Sequence, residues 1–135
     1  MEEILQALRN NEIIIVTDDE DRENEADLIC AGQNVTGEMI NLMACYGKGL
    51  ICTPIGSKVA ERLNLEPMVA TNTDNHSTAF TVSIDHVDTT TGISAYERAD
   101  TIRSLSELST KPSDLRRPGH CLLYTSDAAD DLTTV

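Results

Sequence analysis

The sequence has few aromatic residues and no tryptophan. Its 135 residues include three tyrosines and one phenylalanine. The core of this protein must therefore be built from aliphatic side chains. Hydrophobic residues still reach 40% and charged residues 24% of the chain, a composition typical of globular domains that argues against a disordered chain or a fibre. The length corresponds to about one domain of ~100–150 residues.

Positive charge is also scarce. Ten Lys and Arg residues face 23 Asp and Glu residues, which gives a formal net charge of -13. Such a surface repels the phosphate backbone of nucleic acids and anionic lipids, so neither is expected as a partner. No apolar run approaches the ~18–20 residues of a membrane span, and the start Met1-Glu2-Glu3 lacks the cationic residues of a secretory signal. The sequence therefore predicts a cytoplasmic protein.

The four cysteines show no Cys-x-x-Cys spacing. They stand at positions 30, 45, 52 and 121, so neither a zinc site nor a disulfide scaffold is predicted, and reduced thiols are expected. Cys52 is predicted to be a small core residue rather than a nucleophile, because free cysteine is commonly buried and no basic neighbour is evident.

Apolar residues recur with helical and strand periods in alternation along the chain. In chain order, the predicted helices cover residues 1–9, 36–47, 57–63 and 95–108, and the predicted strands cover residues 12–17, 28–31, 50–55 and 79–85. This alternation predicts an α/β fold, a layered α/β sandwich with a mixed sheet. Residues 111–120 are predicted to form a basic loop punctuated by two prolines.

Some of these elements carry more specific expectations. The Ile- and Val-rich run 12–17 is expected to be buried on both faces, whereas residues 79–85 alternate as a half-buried strand does. Helix caps are expected at Thr36 and Ser57, a helix end at Gly47, and a capping box at Ser94 with Glu97.

The most unusual segment is the acidic loop, residues 18–27 (DDEDRENEAD), in which seven of ten residues are Asp or Glu. So many carboxylates repel one another unless a cation offsets their charge, and hard oxygen ligands favour Mg²⁺ or Mn²⁺. An EF-hand is not predicted, because no glycine stands at the required loop position. Arg22 either pairs within the loop or holds a substrate phosphate or hydroxyl. A solvated acidic hairpin without a metal remains an equal alternative.

A second candidate site is Arg116-Arg117-Pro118-Gly119-His120. His120 has the side chain most often used as general acid or base near neutral pH, and the arginines could hold an anion beside it. The alternative is that His120 is an incidental loop residue. His76 and His86 are predicted to be structural or solvated. Residues 89–92 (TTTG) either present hydroxyl and N–H groups to a phosphate or form an ordinary turn.

Together these segments resemble the 3,4-dihydroxy-2-butanone 4-phosphate synthase family of riboflavin biosynthesis. The acidic loop is similar to the signature loop of that family, and five further stretches match it in order between residues 4 and 120. They are residues 49–54 (GLICTP), 72–74 (NTD), 78–85 (TAFTVSID), 90–95 (TTGISA) and 111–120 (KPSDLRRPGH).

The resemblance implies a dimeric, magnesium-dependent lyase, for which manganese is an alternative metal. It would convert ribulose 5-phosphate to 3,4-dihydroxy-2-butanone 4-phosphate and formate. By the same resemblance, the residues expected to be catalytic are His120, Glu25 and Asp27. Substrate would be contacted by Arg22, Glu23, Asp27, Cys52 and Thr91, and the metal by Glu23.

After His120 the sequence departs from the family pattern. The family continues with an apolar strand and a longer segment that brings another metal-binding histidine and another catalytic glutamate, and neither is present here. Residues 1–120 are therefore predicted to be a partial synthase domain and residues 121–135 a tail foreign to the family. Such a fragment would lack part of its metal site and of its sheet, and could be inactive.

Two other functions remain open. In one, the chain is the front part of a bifunctional protein that also carries GTP cyclohydrolase II. In the other, it is a non-catalytic acidic module that binds divalent cations.

Overall fold

The fold is described from a computed structural model, which describes residues 1–126. Four helices and five strands alternate along this part of the chain. In order they are α1 Glu2–Arg9, β1 Ile14–Thr17, β2 Ala26–Ile29, α2 Gly37–Leu42, β3 Cys52–Ile55, α3 Ser57–Arg62, β4 Ile84–His86, α4 Ala95–Leu105 and β5 Leu115–Thr125. No helix within these residues combines the length and the hydrophobicity that a membrane crossing requires.

The strands form two sheets. β1 and β2 pair antiparallel, with Ile14 opposite Ile29. The second sheet has the order β3-β5-β4, in which β5 is parallel to β3 and antiparallel to β4. This combination of helices with a mixed sheet confirms the predicted α/β class.

The core is aliphatic, as the composition requires. Ile84 and Leu123, from neighbouring strands of the mixed sheet, are fully buried, and α4 packs Ala99, Ile102 and Leu105 into the same cluster. These three α4 residues lie three apart, so they share one face of the helix. The sequence repeats Ala95, Ala99, Ile102 and Leu105 at helical spacing, and this is the face that α4 turns to the core.

The prediction that residues 12–17 are buried on both faces is wrong. The strand forms, but Ile15 is 69% exposed and Val16 is 42% exposed. In the described residues β1 pairs with β2 alone. The β-branched residues favoured a strand, whereas burial depends on neighbours that the local sequence does not specify.

The prediction of a half-buried strand over residues 79–85 is only partly correct. A strand forms at residues 84–86, and Phe80 makes an isolated bridge to Tyr124. Thr81 and Asp85, which the alternation places on the exposed face, are 2% and 5% exposed. The pairing of β4 with β5 shifts between Ile84 and Asp85, and such an irregularity interrupts simple alternation.

Two predicted helix caps are present. The Thr36 side chain accepts a hydrogen bond from the Met39 N–H at 3.2 Å, and the Ser94 side chain accepts one from the Glu97 N–H at 3.1 Å. The predicted cap at Ser57 is wrong, because Ser57 is the first residue of α3 and Gly56 is at the N-cap. The predicted helix end at Gly47 is correct: α2 continues into a π-helical turn, Met43–Gly47, which is followed by the left-handed residue Lys48.

The predicted basic loop 111–120 contains the first half of β5, the central strand of the mixed sheet. A short 3₁₀ helix, Pro112–Asp114, leads directly into β5. In the pairing with β4, the partners on β5 jump from Arg116 to Cys121. Residues 117–120 therefore lie in an irregular stretch, where Pro118 can be accommodated although it has no N–H to donate.

The second half of β5 lies in the predicted foreign tail. Residues 122–125 pair with β3 from Cys52↔Leu122 to Ile55↔Thr125. Residues 127–135 lie outside the described part of the chain. The prediction that the tail is foreign to the family stays a prediction.

Replacing Gly119 by Ala is expected to destabilise the fold by about 3 kcal/mol, as overpacking of a close backbone contact does. A Cβ atom at Gly119 would lie 2.0 Å from the Ile84 carbonyl carbon, and backbone cannot move aside as a side chain can. Thermal unfolding measures the effect. Gly49→Ala is the matched control, because its nearest neighbour is 4.0 Å away. Equal melting temperatures for the two variants would contradict the close approach of β4 and β5.

Candidate active site

A hydrogen-bonded pair of Asp85 and His120 joins β4 to β5. Asp85 Oδ2 lies 2.8 Å from His120 Nδ1, and Asp85 Oδ1 accepts the backbone N–H of His120 at 2.9 Å. A carboxylate only accepts, so Nδ1 carries the proton and Nε2 remains to exchange protons with another molecule. The Asp85 side chain is 7% exposed, whereas that of His120 is 43% exposed. The carboxylate of the pair is therefore buried, whereas its imidazole is accessible from solvent.

Asp85 is a functional candidate that reasoning from the sequence missed. It was read as a residue on the exposed face of a strand. The Thr89–Gly92 loop passes directly over it, because a Cβ atom at Gly92 would lie 2.2 Å from Asp85 Cγ. Gly92 also has φ +87, a conformation that glycine adopts without strain. The sequence does carry a signal that could have identified Asp85. It is an acidic residue at the end of an apolar strand and is followed by a turn that contains glycine.

The two arginines before His120 do not hold an anion beside it. Arg116 Nη2 donates to the Thr89 carbonyl at 2.7 Å and to the Thr89 hydroxyl at 2.8 Å. Arg117 donates to the Leu63 carbonyl at 2.5 Å and to the Asn64 carbonyl, which follow the end of α3. Both guanidinium groups are therefore occupied by backbone carbonyls.

The acidic loop is folded around Asp18. Asp18 Oδ1 accepts the N–H of Asp19 at 2.9 Å, and Oδ2 accepts the N–H of Glu23 at 3.0 Å. Arg22 Nε lies 2.8 Å from Asp18 Oδ2, and Arg22 Nη2 lies 3.6 Å from Glu23 Oε2. The hydrogen bond from Arg22 is the largest cause that lowers the pKa of Asp18. Two roles were predicted for Arg22, and the structure shows the first, in which Arg22 pairs with carboxylates of its own loop.

Glu23 faces a histidine that was predicted to be solvated or structural. His76 Nδ1 lies 3.9 Å from Glu23 Oε1, and the Glu23 side chain is 30% exposed. No group of three His, Cys, Asp or Glu side chains in residues 1–126 is arranged to hold a metal ion. Glu23 is therefore a candidate oxygen ligand that no pre-formed cluster of such side chains surrounds in residues 1–126.

The acidic loop lies near the face of the sheet that carries Cys52 and Tyr124. Burial raises the pKa of the Cys52 thiol, and the charge of Asp27 raises it further. Burial likewise raises the pKa of Tyr124, with added effects of Cys52, Asp27 and Glu23. These effects require the carboxylates to lie near both side chains. A thiol with a raised pKa stays protonated at neutral pH, which agrees with the prediction that Cys52 is not a nucleophile.

His120 opens onto a cleft at this sheet. The cleft has a volume of about 430 Å³, and its lining includes Lys48, Arg98, His120 and Leu122. Cys121 and Leu123 point into the core. Because side chains alternate along a strand, Leu122 and Tyr124 point to the opposite face. His120 and the acidic loop thus lie on the same face of the mixed sheet. Tyr124 is a second candidate site residue, after Asp85, that reasoning from the sequence missed.

The remaining predicted site residues, Glu25 and Thr91, do not line this cleft. The Glu25 side chain is exposed, and its backbone carbonyl accepts the Asp18 N–H at 3.0 Å. Thr91 is exposed on the Thr89–Gly92 loop, between Thr90 and Gly92, whose backbone N–H groups both donate to Glu97. Chemically, the arrangement offers a proton-transfer group that opens onto a cleft, with the carboxylates of the acidic loop near the same face of the sheet.

Known proteins are similar to this chain over most of its length. The family model of 3,4-dihydroxy-2-butanone 4-phosphate synthase matches residues 2–130. Over 120 residues the chain is 57% identical to the riboflavin biosynthesis protein RibBA of Bacillus subtilis and 58% identical to that of Bacillus mycoides. In each case the alignment covers 89% of this chain and 30% of the relative. The chain thus spans less than a third of the length of these curated relatives.

Solved structures give the same result. A crystal structure of 3,4-dihydroxy-2-butanone 4-phosphate synthase in complex with two magnesium ions matches with a TM-score of 0.90 and 43% identity, over 94% of this chain and 60% of that one. The corresponding enzyme of Candida albicans matches with a TM-score of 0.84 and 41% identity, over 98% of this chain and 71% of that one. The chain therefore belongs to the 3,4-dihydroxy-2-butanone 4-phosphate synthase family.

Proposed function

We propose that this chain forms part of an enzyme that converts ribulose 5-phosphate to 3,4-dihydroxy-2-butanone 4-phosphate and formate. The observation that carries the proposal is the Asp85–His120 hydrogen bond of 2.8 Å, on the side of the sheet where the acidic loop lies. A reaction of this type moves protons between carbon and oxygen atoms of a sugar, and a positioned imidazole is suited to that work.

In this proposal His120 takes up and returns protons at Nε2. Asp85 accepts the Nδ1 proton, fixes the tautomer and stabilises the imidazolium that forms when Nε2 takes a second proton. The protonated thiol of Cys52 would contact the substrate without attacking it. Asp27 and Glu25 remain candidate proton carriers, and Arg22 would have to exchange its partner Asp18 for a substrate oxygen.

The residues present fit a divalent cation in an open site. A carboxylate is a hard oxygen ligand, and Mg²⁺ is commonly bound through one or two carboxylates with water and substrate oxygens completing its shell. Glu23 is the residue that would hold the ion. When bound, Mg²⁺ would act as a Lewis acid on neighbouring substrate oxygens. Manganese prefers the same oxygen ligands and remains the alternative metal.

The test is formate release by the complete gene product with Mg²⁺ and ribulose 5-phosphate. Formate formed in step with consumption of the sugar phosphate would support the proposal. A folded, complete protein that binds the sugar phosphate but releases no formate would overturn it. The acidic-module alternative predicts that Ca²⁺ binds about as well as Mg²⁺ and that sugar phosphates have no effect.

The bifunctional alternative is favoured by one specific observation. The chain covers 30% of the RibBA proteins but 60% of the synthase solved with magnesium, so the RibBA relatives have room for a further domain. An assay of the complete gene product for GTP cyclohydrolase II activity would decide between a bifunctional protein and a synthase alone. The homodimer and the cytoplasmic location stay predictions.

A further inference from the structure

The cleft beside His120 is lined by positive charge. Among the described residues, the charged or titratable side chains that line it are Lys48, Arg98 and His120, and none is Asp or Glu. The chain as a whole has 23 acidic and ten basic residues. The acidic loop lies near Cys52 and Tyr124, which do not line this cleft. The cleft therefore favours an anion although the protein is strongly acidic.

Arg98 is the arginine whose guanidinium group has no partner within residues 1–126. The other six arginines each contact a carboxylate or a backbone carbonyl, and they are Arg9, Arg22, Arg62, Arg103, Arg116 and Arg117. Arg98 Nε is buried and makes no hydrogen bond. A buried donor without an acceptor is costly, and native proteins rarely leave one. A ligand that brings an acceptor into the cleft removes this cost.

The packing of α4 holds Arg98 next to the strand that carries His120. Arg98 is half-buried, and the next residue, Ala99, is fully buried in the core. The Cys121 thiol donates to the Arg98 carbonyl at 3.7 Å, and Cys121 follows His120 directly in β5. A half-buried side chain on a packed helix loses less rotamer freedom on binding than an exposed one. The guanidinium group is therefore already placed for a ligand.

Two further hydrogen-bond donors line the same cleft. Ser83 Oγ accepts the Gly119 N–H at 3.1 Å, so its own proton can be donated to a ligand. Lys48 is exposed, and its flexible ammonium group attracts an anion without fixing its orientation. Arg98, by contrast, presents N–H groups in a planar fork that matches two oxygen atoms of a phosphate.

We infer that Arg98 binds the phosphate group of the substrate in this cleft, with Ser83 and Lys48 as weaker contacts. The inference rests on the proposed function, in which the substrate is a sugar phosphate. A phosphate accepts from Nε and from a second N–H of the guanidinium group at once. With the phosphate held at Arg98, the sugar carbons lie in the cleft onto which His120 opens. The phosphate site and the proton-transfer group then share one cavity.

The first experiment measures binding of inorganic phosphate to the complete gene product, without metal, by isothermal titration calorimetry. Arg98→Met keeps an unbranched side chain but removes the charge and the donors, so the phosphate Kd should rise about tenfold or more. Arg98→Lys keeps the charge but loses the contact with two oxygens, so its Kd should rise only about threefold. Lys48→Met should have an effect of about twofold, because Lys48 is exposed.

Lys58→Met is the matched control. Lys58 is an exposed lysine of α3 that does not line the cleft, and its replacement removes the same formal charge as Arg98→Met. The phosphate Kd should stay within about twofold, since exposed charges are screened by solvent. Equal weakening in Lys58→Met and Arg98→Met would mean that phosphate responds to net charge alone, and this result would overturn the inference.

The second experiment is steady-state kinetics with Mg²⁺ and ribulose 5-phosphate. The phosphate group keeps its charge throughout the proposed reaction, so its contact with Arg98 stabilises the bound substrate and the transition state alike. Arg98→Met should therefore raise KM about tenfold and change kcat by less than about threefold. A partner carboxylate elsewhere in the complete protein predicts a different result, in which Arg98→Met lowers the melting temperature and leaves KM and the phosphate Kd unchanged. That result overturns the inference.

A measurement on the unchanged protein decides the matter if the Arg98 variants do not fold. Phenylglyoxal modifies arginine side chains, and peptide mapping reports the rate at each one. Phosphate at about ten times its Kd should slow modification of Arg98 about tenfold, and the rate at the exposed Arg9 should not change. Equal rates at Arg98 with and without phosphate overturn the inference.

Failure of the inference and failure of the proposed function give different results. Formate release by the complete protein, with a phosphate Kd in Arg98→Met that stays within twofold of the unchanged protein, defeats the inference alone. Phosphate binding that depends on Arg98, in a folded and complete protein that releases no formate, defeats the proposed function and leaves the anion site in place.

Discussion

Replacing Asp85 by Asn is expected to lower kcat for formate release about 1,000-fold, with a smaller effect on KM. The amide has the shape of the carboxylate but carries no charge. It cannot stabilise an imidazolium, and its NH₂ group competes to donate where His120 Nδ1 now donates at 2.8 Å. His120 would then lose the tautomer that leaves Nε2 free to accept a proton. Steady-state kinetics of the complete protein measures the effect.

Asp88→Asn is the control for this prediction. Asp88 also lies beside a histidine, with Oδ2 3.6 Å from His86 Nδ1, but its side chain is 89% exposed. Its replacement should leave kcat unchanged. Circular dichroism and thermal unfolding show whether each variant is folded. If folded Asp85→Asn keeps more than a tenth of the activity, then Asp85 does not serve His120 in catalysis.

The second large effect is expected on the metal dependence. Glu23→Gln should raise the Mg²⁺ concentration needed for half-maximal activity about 100-fold, because a neutral amide oxygen is a much weaker ligand than a carboxylate for a hard dication. Titration of formate release with Mg²⁺, after removal of metal by a chelator, measures this shift. Mn²⁺ titrated in the same way tests the alternative metal.

Glu20→Gln separates metal binding from the general charge of the loop. Glu20 belongs to the same acidic loop and is exposed, so its replacement removes the same formal charge. Its Mg²⁺ titration should match that of the unchanged protein within about twofold, since exposed charges are screened by solvent. Equal shifts for both variants would mean that the loop attracts cations only through its net charge. An unaltered titration for Glu23→Gln would remove Glu23 from the metal site.

The candidate site near His120 and the acidic loop was proposed from the sequence, whereas the partners of these groups were not. Residues 18–27 and His120 stand out by their local composition. The contacts of His120 with Asp85, and of Glu97 with Thr90, join residues that are 35 and 7 positions apart. The partners of Arg116 and Arg117 were likewise not predictable from local sequence. Nothing in their immediate sequence indicates that carbonyls from distant loops occupy their guanidinium groups.

The sequence by itself determined the α/β class, the aliphatic core, the buried face of α4 and the segments proposed to carry the candidate site. These depend on side-chain period and on contacts within one turn of chain. The tertiary structure decided that β1 is exposed, that residues 115–125 form the central strand, and that Asp85 is buried against His120. Burial and partner choice depend on which distant segments meet, and neither helical nor strand periodicity encodes that.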